Sequence, residues 1–390
     1  MTRSPRICIV RQQNFYELPV RREAEAFRDA GFEVHLLLMA GDERSGAEVV
    51  DGVTIHRVPG RRERGGTLRY LWDYGTFLVA VAFILTWLHL KNRFDVIQVN
   101  TMPDSLVFAT ILPRLLGAKV TLFMKEPVPE LFETIYGTNR LRRILVTQEQ
   151  WAMRYANAVF TVTDGLRSRY VERGANGEKI TVVLNGPDGR HLLDYRDPEC
   201  APDPDLFTIV CNGTIEDRYG HDVLLWATRT AIEIDPRIRV RITGSGTASD
   251  RIERMITELG LENHVALLGW IPVTDLVCEL QRAHAGVIPM KGSPYSHLIH
   301  TNKMYDYTLF DKPVIASRLR SVDDYFDDSS IAFFTPDDPA SLADAMVRLA
   351  ADPELCEGLA TKAMSLLETQ YGWDHQKAIL VGKTLEVLER

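Results

Sequence analysis

The 390-residue chain is 45% apolar and 25% charged, with 26 glycines and 19 prolines, an ordinary globular composition that excludes disordered, collagen-like and disulfide-dense classes. Its net charge of −8 is uneven: residues 1–190 carry 26 Lys/Arg against 21 Asp/Glu, and residues 191–390 carry 19 against 32. A basic half suited to anions or anionic lipid therefore precedes an acidic one, and no basic stripe interleaved with aromatics points to nucleic acid.

The chain enters a strand-like run, Ile7–Val10, without the long apolar stretch of a secretory signal. β-branched runs then alternate with amphipathic stretches of helical length, the pattern of βα units and parallel sheets. Strands are expected at Arg6–Arg11, Glu33–Met39, Thr54–Val58, Asp95–Asn100, Lys119–Met124, Ala158–Thr163 and Lys179–Leu184. Helices are expected at Val20–Ala30, Leu68–Lys91, Asp104–Leu116, Asn139–Ala156 and Gly165–Arg173. The Pro- and Asp-rich segment Asp188–Asp205 reads as a linker. A second series of strands follows at Phe207–Asn212, Arg239–Thr243, His264–Leu268, Gly286–Pro289, Pro313–Ala316 and Ile331–Phe334. The expectation is two α/β domains, residues 1–190 and 191–372, facing a cleft, with a last helix over 373–390 that can pack back on the first.

Five cysteines, odd in number and with no C-x-x-C pair, indicate a reducing, cytoplasmic compartment and no structural zinc. Tyr74–Leu90 is 17 residues without a formal charge, flanked by Arg61, Arg62, Arg64 and Arg69 before it and Lys91 and Arg93 after. Three readings stand: a span, a helix buried on the sheet, or a helix with one face dipping into the inner membrane surface while arginines meet anionic headgroups. The basic charge of this half favours the last.

Three segments of the second half suit phosphate chemistry. Gly244-Ser245-Gly246 follows a strand and opens a helix, where backbone N–H groups reach an anion. It is equally a tight βα turn, and without a third glycine it disfavours a dinucleotide-dependent dehydrogenase. Gly213–Gly220 holds Gly213, Thr214 and Arg218, an arginine suited to bidentate pairing with a diphosphate unless it is simply solvated. His297–Tyr307 places Thr301 or Asn302 as a helix cap, Lys303 at the helix start and Asp306 in its first turn. A carboxylate there suits a vicinal diol. His297 and His300 are expected to make polar sugar contacts rather than to bind metal.

These segments, with Leu268-Gly269-Trp270 and Asn302-Lys303-Met304-Tyr305-Asp306-Tyr307…Lys312-Pro313-Val314-Ile315-Ala316-Ser317, resemble glycosyltransferase family 4. Val20-Arg21-Arg22-Glu23-Ala24, Pro103-Asp104 and Pro127-x-Pro129-Glu130 fit the same family. The resemblance implies a GT-B fold of two Rossmann-like domains and a retaining, metal-independent transferase whose donor is a nucleotide-diphosphate sugar, UDP- or GDP-linked, with no cofactor. It puts the diphosphate on Gly246, Arg218 and Lys303, the ribose on Asp306 and the base at Trp270–Ile271. The acceptor falls to the first domain, at Asn100, Asp104, Lys125, Glu126 and Glu130, with Lys125 and Glu126 acting on its hydroxyl or charge.

Four departures bear on specificity. Leu298 and Asp306 stand where relatives carry a Glu-x7-Glu pair, Asp311 replaces a glycine, Lys125-Glu126 replaces His-Asp or His-Glu, and Arg11–Phe15 lacks a Gly-Gly. The expected function is transfer of a sugar to a glycan or polyprenyl-linked acceptor at the cytoplasmic membrane face, in surface polysaccharide biosynthesis. A soluble transferase with a small-molecule acceptor, a non-catalytic nucleotide-sugar binder and a sugar-nucleotide epimerase are the alternatives.

Overall fold

The computed structural model describes residues 3–11, 18–39, 46–58, 67–101, 103–137, 141–187 and 189–390. Gln12–Phe15, Arg61, Arg62, Arg64, Asn139 and Asp188, named above, lie outside them. The chain divides into two units, residues 1–184 with 376–390, and residues 185–375.

Unit 1 contains β1 (Arg6–Val10), β2 (Glu33–Met39), β3 (Ala47–Val50), β4 (Val53–Val58), β5 (Val96–Asn100), β6 (Lys119–Met124), β7 (Ala158–Thr161) and β8 (Ile180–Val182). They form one sheet in the order β3-β4-β2-β1-β5-β6-β7-β8, parallel except for the β3–β4 hairpin. The helices are α1 (Leu18–Asp29), α2 (Thr67–Asn92), α3 (Ile111–Leu115), α4 (Val128–Tyr136), α5 (Leu141–Tyr155) and α6 (Asp164–Glu172). β1, β2, β5, β6 and β7 are near-continuous apolar runs because helices cover a parallel sheet on both faces.

The structure differs from expectation in three places. The exposed hairpin strand β3 carries no apolar alternation to betray it. The stretch read as one helix from Asp104 is a 3-10 run over Asp104–Thr110 that passes into α3. The helix α4 is not among the expected ones, and Pro127 and Pro129 stand at its start, where proline is tolerated.

The apolar stretch lies within the 26-residue α2. Phe77, Val81, Leu85 and Leu88 form a stripe buried in unit 1, so the helix belongs to the domain. On the other side Val79, Phe83, Trp87 and Leu90 are exposed, Phe83 to 75%, and only 28% of the stretch Gly75–Asn92 is buried. The helix is thus apolar on both faces and packed on one.

Unit 2 contains β9 (Phe207–Asn212), β10 (Ile238–Thr243), β11 (Val265–Gly269), β12 (Ala285–Ile288), β13 (Val314–Ser317) and β14 (Ala332–Phe334), all parallel, in the order β11-β10-β9-β12-β13-β14. Its helices are α7 (Arg190–Leu193), α8 (His221–Ile234), α9 (Ser249–Glu258), α10 (Val273–Arg282), α11 (Lys303–Leu309), α12 (Arg320–Asp323), α13 (Pro339–Ala351) and α14 (Pro353–Leu366). The last helix, α15 (Trp373–Glu389), leaves unit 2 at residue 375 and continues in unit 1, where Gln376 accepts a hydrogen bond from the Leu184 amide at 2.8 Å.

Two residues of unit 2 correct the sequence reading. Cys200 and Cys278 are joined in a disulfide, so the cysteines are not all unpaired and no longer argue for a reducing compartment. The segment read as a linker is pinned by this bond and by two hydrogen bonds between Asp197 and Gln281, at 2.9 and 3.0 Å. Asp311 has φ +58° in the turn after α11. That left-handed conformation costs an L-residue about 1 kcal/mol. Asp311→Gly should therefore raise the melting temperature by roughly 2–4 °C in a calorimetric scan, an effect the exposed 3.8 Å Arg196 pair does not offset.

Candidate active site

In unit 2, β9 leads outward to β10 on one side while its other neighbour β12 leads to β13 on the opposite side. A crevice opens at the carboxyl ends where crossovers part in this way. The loop Gly213–Gly220, after β9, and the residues leading into α11 both start from that point.

The glycines of these loops are dictated by close approach. The β9 and β10 loops touch backbone to backbone, with bonds from the Gly213 amide to the Thr243 carbonyl (2.8 Å), from Ile215 to Ser245 (3.2 Å) and from Ala248 to Ile215 (3.1 Å). A Cβ on Gly244 would strike the Gly213 carbonyl, and one on Gly246 the Ile215 carbonyl. Gly213, at φ +115°, lies directly under the Lys303 side chain, which a Cβ would displace.

Lys303 opens α11, a helix fastened from within by Tyr307, whose hydroxyl accepts from the Asn212 amide (3.2 Å) and donates to the Val287 carbonyl (3.3 Å). Its ammonium lies 4.6 Å from the Tyr219 ring centroid, and the Arg218 guanidinium lies 4.8 Å from the same ring. One aromatic ring thus positions both cations. Burial pushes the Lys303 amine down, against the opposing pull of Cys211 and then of Asp306 one turn along. The Arg218 Nε is buried with no hydrogen-bond partner. The loop is braced from behind by Arg251, paired with Asp217, and by a 2.7 Å Lys291–Asp222 pair. Two cations, a constricted set of backbone amides and the half-buried Asp306 suit a diphosphate with a neighbouring diol.

Other candidates of this unit fall differently. Thr214 and Asn302 are exposed, Asn302 capping α11 without a side-chain bond, and the Thr301 hydroxyl is buried and unpartnered. Trp270 is 76% exposed beside half-buried Ile271. His297 is exposed and accepts from the Arg320 amide at 3.2 Å. His300 is turned inward among Tyr305, Tyr325 and Phe326, and burial drives its pKa down to about 3. A neutral ring enclosed by aromatics is a packing residue, which corrects its assignment as a sugar contact.

Sequence reasoning missed two residues here. Tyr219 has its ring against both cations, a role its place in the loop sequence does not signal. His221, first residue of α8, is 2% exposed with neither ring nitrogen partnered, and burial with the Lys303 charge lowers its pKa to about 4.

In unit 1 the equivalent switch point lies between β1 and β5. Glu23, 1% exposed, is the hub at their carboxyl ends. It accepts from Arg11 (3.1 Å), Gln98 (3.1 Å) and Asn100 (2.7 Å) and is bonded to Lys125. The network holds the Glu23 carboxyl below its ordinary range despite burial, and burial lowers the Lys125 amine to about 7. Lys125 and Glu126 remain half-buried.

Asn100, Asp104 and Glu130 are 1–2% exposed and so do not offer an acceptor an open side chain. Asn100 serves Glu23. Glu130 is bonded to Arg173, which also holds Glu149 at 3.0 Å. Asp104 Oδ1 has no partner. Asn100 ends β5, Asp104 opens the 3-10 run after it and Glu130 lies in the first turn of α4, and all three are buried. Among the described residues no cluster of His, Cys, Asp or Glu forms a metal site.

Family models match both units: a "Glycosyl transferase 4-like domain" over residues 18–186 and "Glycosyl transferases group 1" over residues 207–352. The fold is that of sucrose-phosphate synthase from Thermosynechococcus elongatus (TM-score 0.79, 16% identity, 99% of each chain). It is also that of Anabaena HepE in complex with UDP and glucose (TM-score 0.73, 15% identity, 98% of this chain and 99% of that one). A glycogen synthase of Mycobacterium tuberculosis is 23% identical over 60% of this chain and 55% of its own length. The chain spans about half the length of the curated relatives it matches. By these two domains and its fold, the chain belongs to the GT-B glycosyltransferases of the family 4 type.

Proposed function

We propose that this GT-B protein is a retaining glycosyltransferase that moves a sugar from a nucleotide-diphosphate donor to a glycan or polyprenyl-linked acceptor at the cytoplasmic membrane face, in surface polysaccharide biosynthesis. The observation that carries the donor half is Lys303 lying over Gly213 with Arg218 against the same tyrosine. Two fixed cations beside constricted backbone amides suit a leaving group whose charge grows as the glycosidic bond breaks. Asp306 is assigned the ribose hydroxyls, the Trp270–Ile271 turn the base and Gly246 the phosphate. Of the acceptor candidates in unit 1, Lys125 and Glu126 are the two that are not fully buried, Lys125 with its ammonium bonded to Glu23. Front-face attack, with the anomeric configuration kept, follows from the family resemblance, as does a donor handled without metal.

The membrane reading, against a soluble transferase with a small acceptor, rests on the bare apolar stripe of α2. A soluble domain ordinarily covers such a stripe, and a contiguous exposed one marks a docking surface.

A melting-temperature panel of UDP, GDP and ADP with their sugars, with and without chelator, tests the donor site. At a hundredfold excess over Kd the matching nucleotide should stabilise by about 2.7 kcal/mol, a rise of roughly 5–10 °C, unchanged by chelator. No rise with any nucleotide would sink the donor assignment.

A further inference from the structure

A cavity of about 410 Å³ opens in unit 1 at the amino-terminal edge of the sheet, where β5 and β6 begin, opposite to the edge that carries Lys125. Its walls join two kinds of chemistry. Leu90, at the end of α2, and Leu116, just after α3, are exposed to 62% and 55% and form an apolar rim. Arg3, His89, Arg93 and Lys119 also line it, Arg3 and Arg93 as exposed side chains and His89 as a buried one.

His89 is neutral, its pKa held down by burial, and of the three charged residues Arg3 is paired with Asp95 at 2.7 Å. Arg93 and Lys119 make no ion pair among the described residues. His89 is 5% exposed, bonded through its ring to the Leu116 backbone, and its buried Nδ1 has no partner. The backbone adds a further sign. Arg93 is held at φ +54° in the position after a helix where glycine is the unstrained choice. Strain of this kind points to a required side chain.

The rim is continuous with a wider apolar surface. The α2 stripe (Val79, Phe83, Trp87, Leu90) lies beside α3, whose Ile111, Leu112 and Leu115, followed by Leu116, are all exposed. Two adjoining helices therefore present an apolar face that ends at a pocket with excess positive charge.

We propose that this pocket binds the phosphate of an anionic lipid headgroup, with the acyl chains lying along the exposed face of α2 and α3. This rests on the membrane reading above and adds the chemical partner and its residues. A free phosphate would find the same cations, but it gains nothing from the leucine rim or the helix face. An amphiphilic anion matches both.

Vesicle co-sedimentation of the full chain tests it, with phosphatidylcholine alone and with added phosphatidylglycerol. Wild type should bind the anionic vesicles more tightly. Arg93→Gly should lose about fivefold of that binding, and the Arg93→Gly, Lys119→Gln double variant about 30-fold, from ~1 kcal/mol per basic residue at the surface. Binding to phosphatidylcholine should not change. Arg93→Gly should melt no lower than wild type, because glycine relaxes the backbone, so weakened binding cannot be put down to misfolding.

Undiminished binding by the double variant overturns the pocket. If Phe83→Asp, Trp87→Asp still detaches the protein, the membrane reading survives that result and the pocket alone falls. If Phe83→Asp, Trp87→Asp leaves binding to both vesicles intact, the membrane reading falls and the lipid assignment with it. Displacement from anionic vesicles by inorganic phosphate as readily as by soluble phosphatidylglycerol headgroup analogues would make the ligand a free anion and overturn the lipid assignment.

Discussion

Lys303→Ala is expected to lower turnover by about 10²–10³-fold while weakening donor binding far less, the pattern of a group that acts on charge developing in the transition state. The geometry gives the reason. Lys303 is fixed at a helix start, pressed over Gly213 and against Tyr219, so its ammonium is already in place and costs little reorganisation when the leaving diphosphate gains charge. Arg218, against the same ring, should show the same split when changed to alanine. Tyr219→Leu removes no charge, so it should act through both cations and cost less than either, about tenfold, from two cation–π contacts of ~0.5–1 kcal/mol each. Isotope-labelled donor binding and initial rates separate these quantities. Equal small losses in binding and turnover for Lys303→Ala would favour the non-catalytic binder.

Where a residue's role follows from its own segment, the sequence is readable. The strands of unit 2 fall within about a residue of their expected ends because most are short apolar runs and β10 alternates apolar residues with arginine. Gly213, Gly244, Gly246, Lys303 and Asp306 are legible because backbone approach and helix starts demand particular residue types at particular spacings.

Roles made by tertiary contact are not legible. Glu23 is four or five residues into α1 by sequence, yet gathers Arg11, Gln98, Asn100 and Lys125 from three other elements. His221 and Tyr219 matter through Lys303, more than 80 residues away in sequence. The same holds for Cys200 and Cys278, 78 residues apart, whose spacing carries no signal of their bond. Asn100, Asp104 and Glu130 show the converse: their places at the end of β5 and at the starts of the 3-10 run and of α4 suggest exposure, and only the packed unit reveals that they are buried.

Asp104 supplies the second large effect, in stability. Burial first and the Glu149 charge second raise its carboxyl to about 8, and Oδ1 has no hydrogen-bond partner to offset this. Glu149 is itself raised, to about 6, chiefly by burial. The folded protein therefore keeps Asp104 protonated through neutral pH, whereas the unfolded chain releases that proton near pH 4. Between about pH 4 and 8 the native state binds the extra proton, so stability falls as pH rises through that window and the loss is complete above it. Its size is a few kcal/mol, at about 1.4 kcal/mol per pH unit of separation before relaxation of the site. Asp104→Asn keeps the shape and removes the titration. It should match wild type near pH 4, fall short there by no more than about 1 kcal/mol for an added buried amide, and exceed wild type increasingly up to pH 8. Urea unfolding of both proteins across this range reads the difference directly. A gap that stays flat with pH would mean that Asp104 is ionised and hydrated in the folded state. In that form the carboxylate is open to an acceptor hydroxyl or cation, and the acceptor assignment would return to it. A gap that widens with pH leaves Asp104 a buried neutral acid and leaves Lys125 and Glu126 as the acceptor-facing pair.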